Sequence, residues 1–255
     1  MTDPLHLQDR LVLITGAAKR VGRSLALACA RAGAHVAVHY GQSQAEAESL
    51  QAEIRALGRQ AWLIQADLGD PQQAVEVIER AAVNGPLYAL VNNASIFDPL
   101  TWQTATLDDW NRNLMVNLTA PFLLSQAFAT RLLADPAAQG RIVNLLDWRA
   151  LRPGVDHLPY TIAKAGLAAL TRSLGISLAP RITVNGLALG AILPPSEGGK
   201  IAAADSPDMQ KPIAQVPAGR WAELEEVDQA LLFLLAGPAY ITGEILHIDG
   251  GRHLK

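Results

Sequence analysis

The chain has 255 residues, half of them apolar, with a formal net charge of -3 and no long run of either sign. That length fills one sizeable core, so a single domain over 1–255 is expected, and the lack of a basic stripe argues against nucleic acid as a partner. The single cysteine, Cys29, excludes a disulfide framework or a cysteine metal cluster, and no apolar run is long enough to span a bilayer.

Short runs rich in Val, Ile and Leu alternate with Ala-rich segments of helical period. The runs are Leu11–Ile14, His35–His39, Ala61–Gln65, Leu87–Val91, Arg141–Leu146, Ile182–Leu187 and Glu244–Ile248. Strands covered on both faces need no polar alternation, so these predict seven buried parallel strands. Helices are expected near 21–32, 43–57, 71–83, 107–133, 159–178 and 223–236. Right-handed crossovers turn this series into a three-layer, doubly wound α/β sheet of Rossmann type. Cys29 falls in a helical pattern and reads as a small core residue. The stretch 189–221 carries five prolines and reads as a binding loop or lid over the site. The opening MTDPLHLQDR has no apolar signal stretch, so a cytoplasmic location is expected.

The first run ends in Thr15-Gly16-Ala17-Ala18-Lys19-Arg20-Val21-Gly22 before a helix. Glycine lets backbone approach a ligand, and amides at a helix start face an anion. This is where a Rossmann unit holds a dinucleotide. After the second run, His39-Tyr40-Gly41-Gln42-Ser43 offers no acid for a ribose 2′-hydroxyl, whereas Ser43 with Arg20 suits a 2′-phosphate; this favours NADPH over NADH. Tyr160 and Lys164 lie four apart on one helical face. A nearby ammonium favours a phenolate and should bring the phenol toward working pH as a proton donor.

Thr15–Gly22, Asn92-Asn93-Ala94, Asn117, Tyr160 with Lys164, and Asp249-Gly250-Gly251 stand in the order and spacing of the short-chain dehydrogenase/reductase family, which the whole chain resembles. The resemblance implies a cofactor lined by Gly16, Arg20, Val21, His39, Tyr40, Ser43, Asp67, Leu68, Asn93, Ala94, Ser95, Tyr160, Lys164, Gly190 and Ile192. Asp67 would bond the adenine amino group, Lys164 the nicotinamide ribose, and Asn117 would support a proton-relay water at a helix kink. Two helices, near 107–133 and 159–178, would build a homotetramer of dihedral symmetry.

Two departures from the usual family pattern carry information. Arg20 replaces a glycine. Asp147, thirteen residues before Tyr160, replaces the catalytic serine, and no serine or threonine lies between 142 and 159. Asp147 reads as a catalytic group, as a simple strand-end cap, or as the mark of an inactive relative. Pteridine reductases share Asp–Tyr–Lys, Thr-Gly-x-x-x-Arg-x-Gly, His-Tyr after the second strand, Asn-Asn-Ala-Ser followed by phenylalanine, and Gly190-Ala191-Ile192-Leu193. Their Pro-Gly before that last run is Leu189-Gly190 here. This resemblance implies reduction of a dihydropterin, with dihydrofolate as a second candidate. Asp147, Tyr160, Lys164 and Asn117 would be catalytic, and Ser95, Phe97, Asp147, Tyr160, Leu193 and Trp221 would hold the substrate, with Phe97 stacked on one pterin face. Trp148 and Pro194 are weaker members of the pocket. Reduction of a 3-oxoacyl thioester or a sugar, or a non-catalytic NADPH-binding regulator, remain open on the same fold. The tail Arg252–Lys255 carries two readings, a reach into a neighbouring active site or a loose end.

Overall fold

The computed structural model describes residues 6–192, 196–197, 200–201 and 213–255. Its main elements are β1 (Leu11–Ile14), α1 (Arg20–Arg31), β2 (His35–Tyr40), α2 (Gln44–Ala56), β3 (Ala61–Gln65), α3 (Pro71–Ala82), β4 (Leu87–Asn92), α4 (Leu107–Leu114), α5 (Ala120–Leu133), β5 (Gly140–Asp147), α6 (Leu158–Ser177), β6 (Ile182–Leu189), α7 (Leu224–Ala236) and β7 (Ile245–Ile248). Among the described residues the seven strands form one sheet, ordered β3-β2-β1-β4-β5-β6-β7, with every pair parallel. The order reverses between β1 and β4, and the crevice at such a switch point is where open α/β sheets bind ligands.

All seven expected strands are present. Several continue past their apolar run: β2 takes in Tyr40, β4 Asn92, β5 Asp147 and β6 Leu189. The backbone ladder persists past each predicted run, and these extra residues lie at the carboxyl-terminal edge of the sheet. The single helix expected over 107–133 is α4, a π-helical turn over Met115–Thr119 and α5. Such π-turns are rare and occur often at functional sites. A Thr106–Asp109 capping box starts α4, and Asp70 caps α3 by accepting from the amides of Gln72 and Gln73.

Each face of the sheet buries its own core. Val12, Ile14, Val36, Val38, Val91 and Val143 pack under α1, α2 and α7, with Cys29 among them. Leu11, Leu13, Leu90, Ile142 and Val184 pack against α3 and α5, and a third group around Leu146, Ala188 and Leu167 lies under α6. Burial pushes the Cys29 thiol up to about 12, so it behaves as a core residue rather than a nucleophile. Of the expected loop, the prolines before Pro217 and Leu193 lie outside the described residues; Ser196–Glu197 and Lys200–Ile201 pair as a short antiparallel ladder. No described helix is long and apolar enough to cross a membrane.

Phe128 is the largest fully buried side chain, closing α5 on the start of β5, where a β-carbon on Gly140 would come within 3.1 Å of its ring. Phe128→Ala is expected to cost about 3–5 kcal/mol, read as a lower urea midpoint at unchanged slope.

Candidate active site

The site begins where β1 and β4 end. Thr15 Oγ1 accepts from the amides of Asn93 (2.9 Å) and Ala94 (3.0 Å), and Asn93 Nδ2 donates to the carbonyls of Thr15 (2.8 Å) and Gly16 (3.1 Å). Gly16 turns the chain with φ +61°, and a β-carbon there would lie 2.9 Å from Ala94 Cα. Only glycine satisfies both the conformation and the contact. At Gly22 a β-carbon would lie 2.3 Å from the Gly16 carbonyl, so α1 approaches the turn as closely as backbone allows.

His39 sits beneath the turn. Its Nδ1 accepts from the Gly16 amide (3.1 Å) and its Nε2 faces the Ala66 carbonyl (3.2 Å). These two partners require the neutral tautomer protonated on Nε2. Burial pushes the imidazole down to about 4, consistent with a neutral brace between the ends of β1, β2 and β3. Tyr40, expected at the cofactor, is instead packed in the core beneath α1 and α2.

Two cavities follow one another along this edge. The first, of about 780 Å³, is lined by Gly16, Lys19, Arg20, Val21, His39, Asp67, Leu68, Asn93, Ala94 and Ser95 among others. The second, of about 300 Å³, is lined by Ser95, Phe97, Asp147, Tyr160, Lys164, Gly190, Ile192 and Trp221, and shares Arg20, Val21, Asn93 and Ser95 with the first. Arg20 therefore lines both cavities, whereas Ser43, its expected partner at a 2′-phosphate, lines neither. Lys19, which sequence reasoning passed over, lines the outer cavity, paired at 2.8 Å with Glu46. Leu193 lies outside the described residues. Among the described residues no cluster of three or more His, Cys, Asp or Glu is placed to hold a metal.

Within the inner cavity, Asp147 divides its two oxygens between two tasks. Oδ1 accepts from the Arg149 amide (2.8 Å), capping a 3-10 turn over Trp148–Ala150, while Oδ2 accepts from the Tyr160 hydroxyl (3.2 Å). The strand-end cap and the partner of tyrosine are thus one residue. Lys164 Nζ donates to the Leu145 carbonyl (2.7 Å) and lies 5.7 Å from the Tyr160 ring centroid. The expectation that lysine brings the phenol down is corrected here: burial, then the Asp147 carboxylate, push Tyr160 up, so it stays a protonated donor. Burial pushes the Lys164 ammonium down to about 8.

Asn117 lies in the π-turn and is fully buried. Its Oδ1 accepts from Ser95 Oγ (2.7 Å) and the Ile96 amide (3.2 Å), and its Nδ2 donates to the Ile96 carbonyl (3.1 Å). The side chain therefore positions the loop after β4, tying Ser95 and Phe97 to the kinked helix. Phe97 is about half exposed and stacks on His157 with centroids 3.7 Å apart, so one of its faces is already covered. Its ring also meets Tyr160 edge-on at 4.6 Å. A buried chain from Asn92 Nδ2 to Asn144 Oδ1 (2.8 Å), and from Asn144 Nδ2 to Thr171 Oγ1 (2.9 Å), pins α6 against β4 and β5. It fixes the helix that carries Tyr160 and Lys164, and no local motif announced it.

The family model described as enoyl-(acyl carrier protein) reductase, of the short-chain alcohol dehydrogenase type, matches residues 16–253. The chain belongs to the short-chain dehydrogenase/reductase family. It is an oxidoreductase of that family by this match and by its relatives. It is 32% identical over 252 residues to a 3-oxoacyl-(acyl-carrier-protein) reductase of Synechocystis sp., covering 96% of this chain and 97% of that protein. It is 33% identical to an L-rhamnose 1-dehydrogenase (NAD(P)(+)) of Sphingomonas sp., covering 98% of each. Its fold matches the crystal structure of FolM alternative dihydrofolate reductase 1 from Brucella canis, solved with NADP, at a TM-score of 0.87 and 31% identity over 96% of this chain and 95% of that one.

In this family frame Arg20 has two opposed effects. Its φ of +52° lies in the left-handed region, which costs a side-chain-bearing residue about 1–2 kcal/mol. Arg20→Gly recovers that strain and gives back part of it as unfolded-chain entropy. The variant should gain about 0.5–1 kcal/mol in thermal unfolding without ligand. If the guanidinium meets a cofactor phosphate from this position, its loss should weaken NADPH binding roughly tenfold or more in a fluorescence titration, and unchanged binding would remove Arg20 from the cofactor site.

Proposed function

We propose that this oxidoreductase uses NADPH to reduce a dihydropterin to its tetrahydro form. The observation that carries the reading is the carboxylate of Asp147, 3.2 Å from the Tyr160 hydroxyl, where a carbonyl reductase of this family would offer a serine. The cofactor assignment agrees with family structures solved with NADP. Other observations here fit a dinucleotide: a glycine turn too tight for a β-carbon, an outer cavity with Asp67 and Lys19, and an inner one with Tyr160, Lys164 and Ile192.

NADPH, when bound, supplies a hydride. The residues of the chain supply the proton and the alignment. A flat pterin fits in the inner cavity, where Phe97 supplies an aromatic wall, and Ser95 offers a hydroxyl at the junction of the two cavities. Tyr160, held protonated by burial, and Asp147 form a hydrogen-bonded pair that can hand a proton to a ring nitrogen as the adjacent carbon is reduced. Lys164 spends one donor on the Leu145 carbonyl and keeps others for a ribose hydroxyl. Reduction of a 3-oxoacyl thioester is the second reading, favoured by the names of several relatives. A carbonyl oxygen is better served by a neutral hydroxyl, and the strand end provides a carboxylate instead. A tetramer built through α5 and α6 belongs to the same proposal; Phe122, Ile162 and Ile176 expose apolar surface on those helices.

Asp147→Asn keeps the cap on the Arg149 amide and removes the carboxylate, so folding is expected to hold. NADPH oxidation with dihydrobiopterin should proceed in the wild type and fall by about 100-fold or more in the variant. No turnover of any dihydropterin by the wild type, together with reduction of a 3-oxoacyl thioester, would establish the second reading. The Lys164 ammonium is present below about pH 8 and lost above it. The pH profile of kcat/KM should therefore decline on its alkaline side from about pH 8; a flat profile there contradicts a charged-lysine role.

A further inference from the structure

The end of the chain is built, not loose. The Asp249 carboxylate is almost fully buried and accepts from the amides of Gly251 (3.0 Å) and His253 (2.9 Å) and from His253 Nδ1 (2.9 Å). His253 stacks on His247 at 3.9 Å. Gly251 turns the backbone with φ +84°, and a β-carbon there would press on Pro217. These contacts fix the backbone of Arg252 and aim its guanidinium over the Trp148 ring, 4.1 Å from the centroid.

That guanidinium is poorly served. Among the described residues Arg252 has no ion pair and no side-chain hydrogen bond, and its Nε is buried without a partner. The nearby acids are engaged elsewhere. Asp147 and Asp156 lie 3.7 and 3.3 Å from the Arg149 guanidinium, and Asp249 is held by His253 and the two amides. Beyond the Trp148 face the half-buried guanidinium interacts with Asp147, Asp156 and Asp249 only at a distance and bonds to none of them, so an anion placed on it would gain a charge-assisted bond on a rigid receptor. The place is informative. Arg149 lies 5.5 Å from the Phe97 centroid and 5.0 Å from that of Trp148, so Phe97, Arg149, Trp148 and Arg252 form a continuous stack beginning at the inner cavity.

We propose that Arg252 is the receptor for a carboxylate on the substrate's side chain, so that the enzyme favours an acidic dihydropterin of the dihydrofolate kind over a neutral one. This rests on the pterin reading above and names the substrate class within it. Arg252 is a specificity-determining residue on this view and takes no part in hydride or proton transfer.

The test separates the two claims. The full-length, NADPH-loaded protein is titrated calorimetrically with p-aminobenzoyl-L-glutamate, which carries the carboxylates without the pterin. Turnover of dihydrofolate and dihydrobiopterin is measured in parallel. The expected result is binding by the wild type that weakens about tenfold or more in Arg252→Met and is largely kept in Arg252→Lys. The ratio of kcat/KM for dihydrofolate over dihydrobiopterin should fall by a similar factor in Arg252→Met. Absence of binding by the wild type, or equal binding in all three proteins, overturns the receptor. A wild type that turns over neither pterin overturns the reductase reading, and the titration still decides whether Arg252 binds a carboxylate. Matching melting temperatures of the three proteins show that the tail is in place.

Discussion

The reactive edge depends on the hydrogen bonds that join the ends of β1 and β4. Thr15 and Asn93 exchange donors and acceptors across the switch point, which leaves the Gly16 turn no freedom to slide. In a low-dielectric interior each bond is firm, because its partners have no water to turn to. His39 adds a brace from below by accepting the Gly16 amide. A protonated imidazole could not accept that bond, so the turn depends on histidine staying neutral. The ligand-facing amides of the turn inherit their geometry from these contacts.

The second constraint is burial of the acid–base groups. Tyr160 and Lys164 share one face of α6, and the helix is held to the sheet by the Asn92–Asn144–Thr171 chain. Burial pushes the phenol up and the ammonium down, each toward its neutral form. Asp147 reinforces the first effect and opposes the second. The direction of the Tyr160 shift is therefore set by burial and Asp147. In the proposed reaction the hydrogen-bonded pair Asp147–Tyr160 would supply the proton for a ring nitrogen.

A third layer of organisation surrounds the pocket. Asn117 in the π-turn holds the loop bearing Ser95 and Phe97, and Arg149 bridges Asp147 to Asp156. The segment after β7 closes against Trp148. Residues far apart in the chain thus set the shape of one small cavity.

Much of this was legible from residue order alone. Apolar runs of strand length, separated by helical periods, specify the sheet because a strand covered on both faces has to be apolar throughout. The glycine turn, the Tyr–Lys spacing and Asp147 in place of serine are local patterns, and the structure brings them to one edge. What the sequence could not determine depends on contacts between distant segments. It offered Tyr40 as a cofactor ligand, but a strand residue's face is set by the sheet's register, which turns Tyr40 into the core. It paired Arg20 with Ser43, and only the folded chain shows Arg20, with its left-handed backbone, lining both cavities. It left Asp147 open between cap, catalyst and the mark of an inactive relative, and only the packing of α6 against β5 shows one carboxylate that both caps the Arg149 turn and accepts from the Tyr160 hydroxyl. Local pattern fixes which residues meet the sheet edge. The distances and charges among them are set by tertiary packing, because both depend on what surrounds each group.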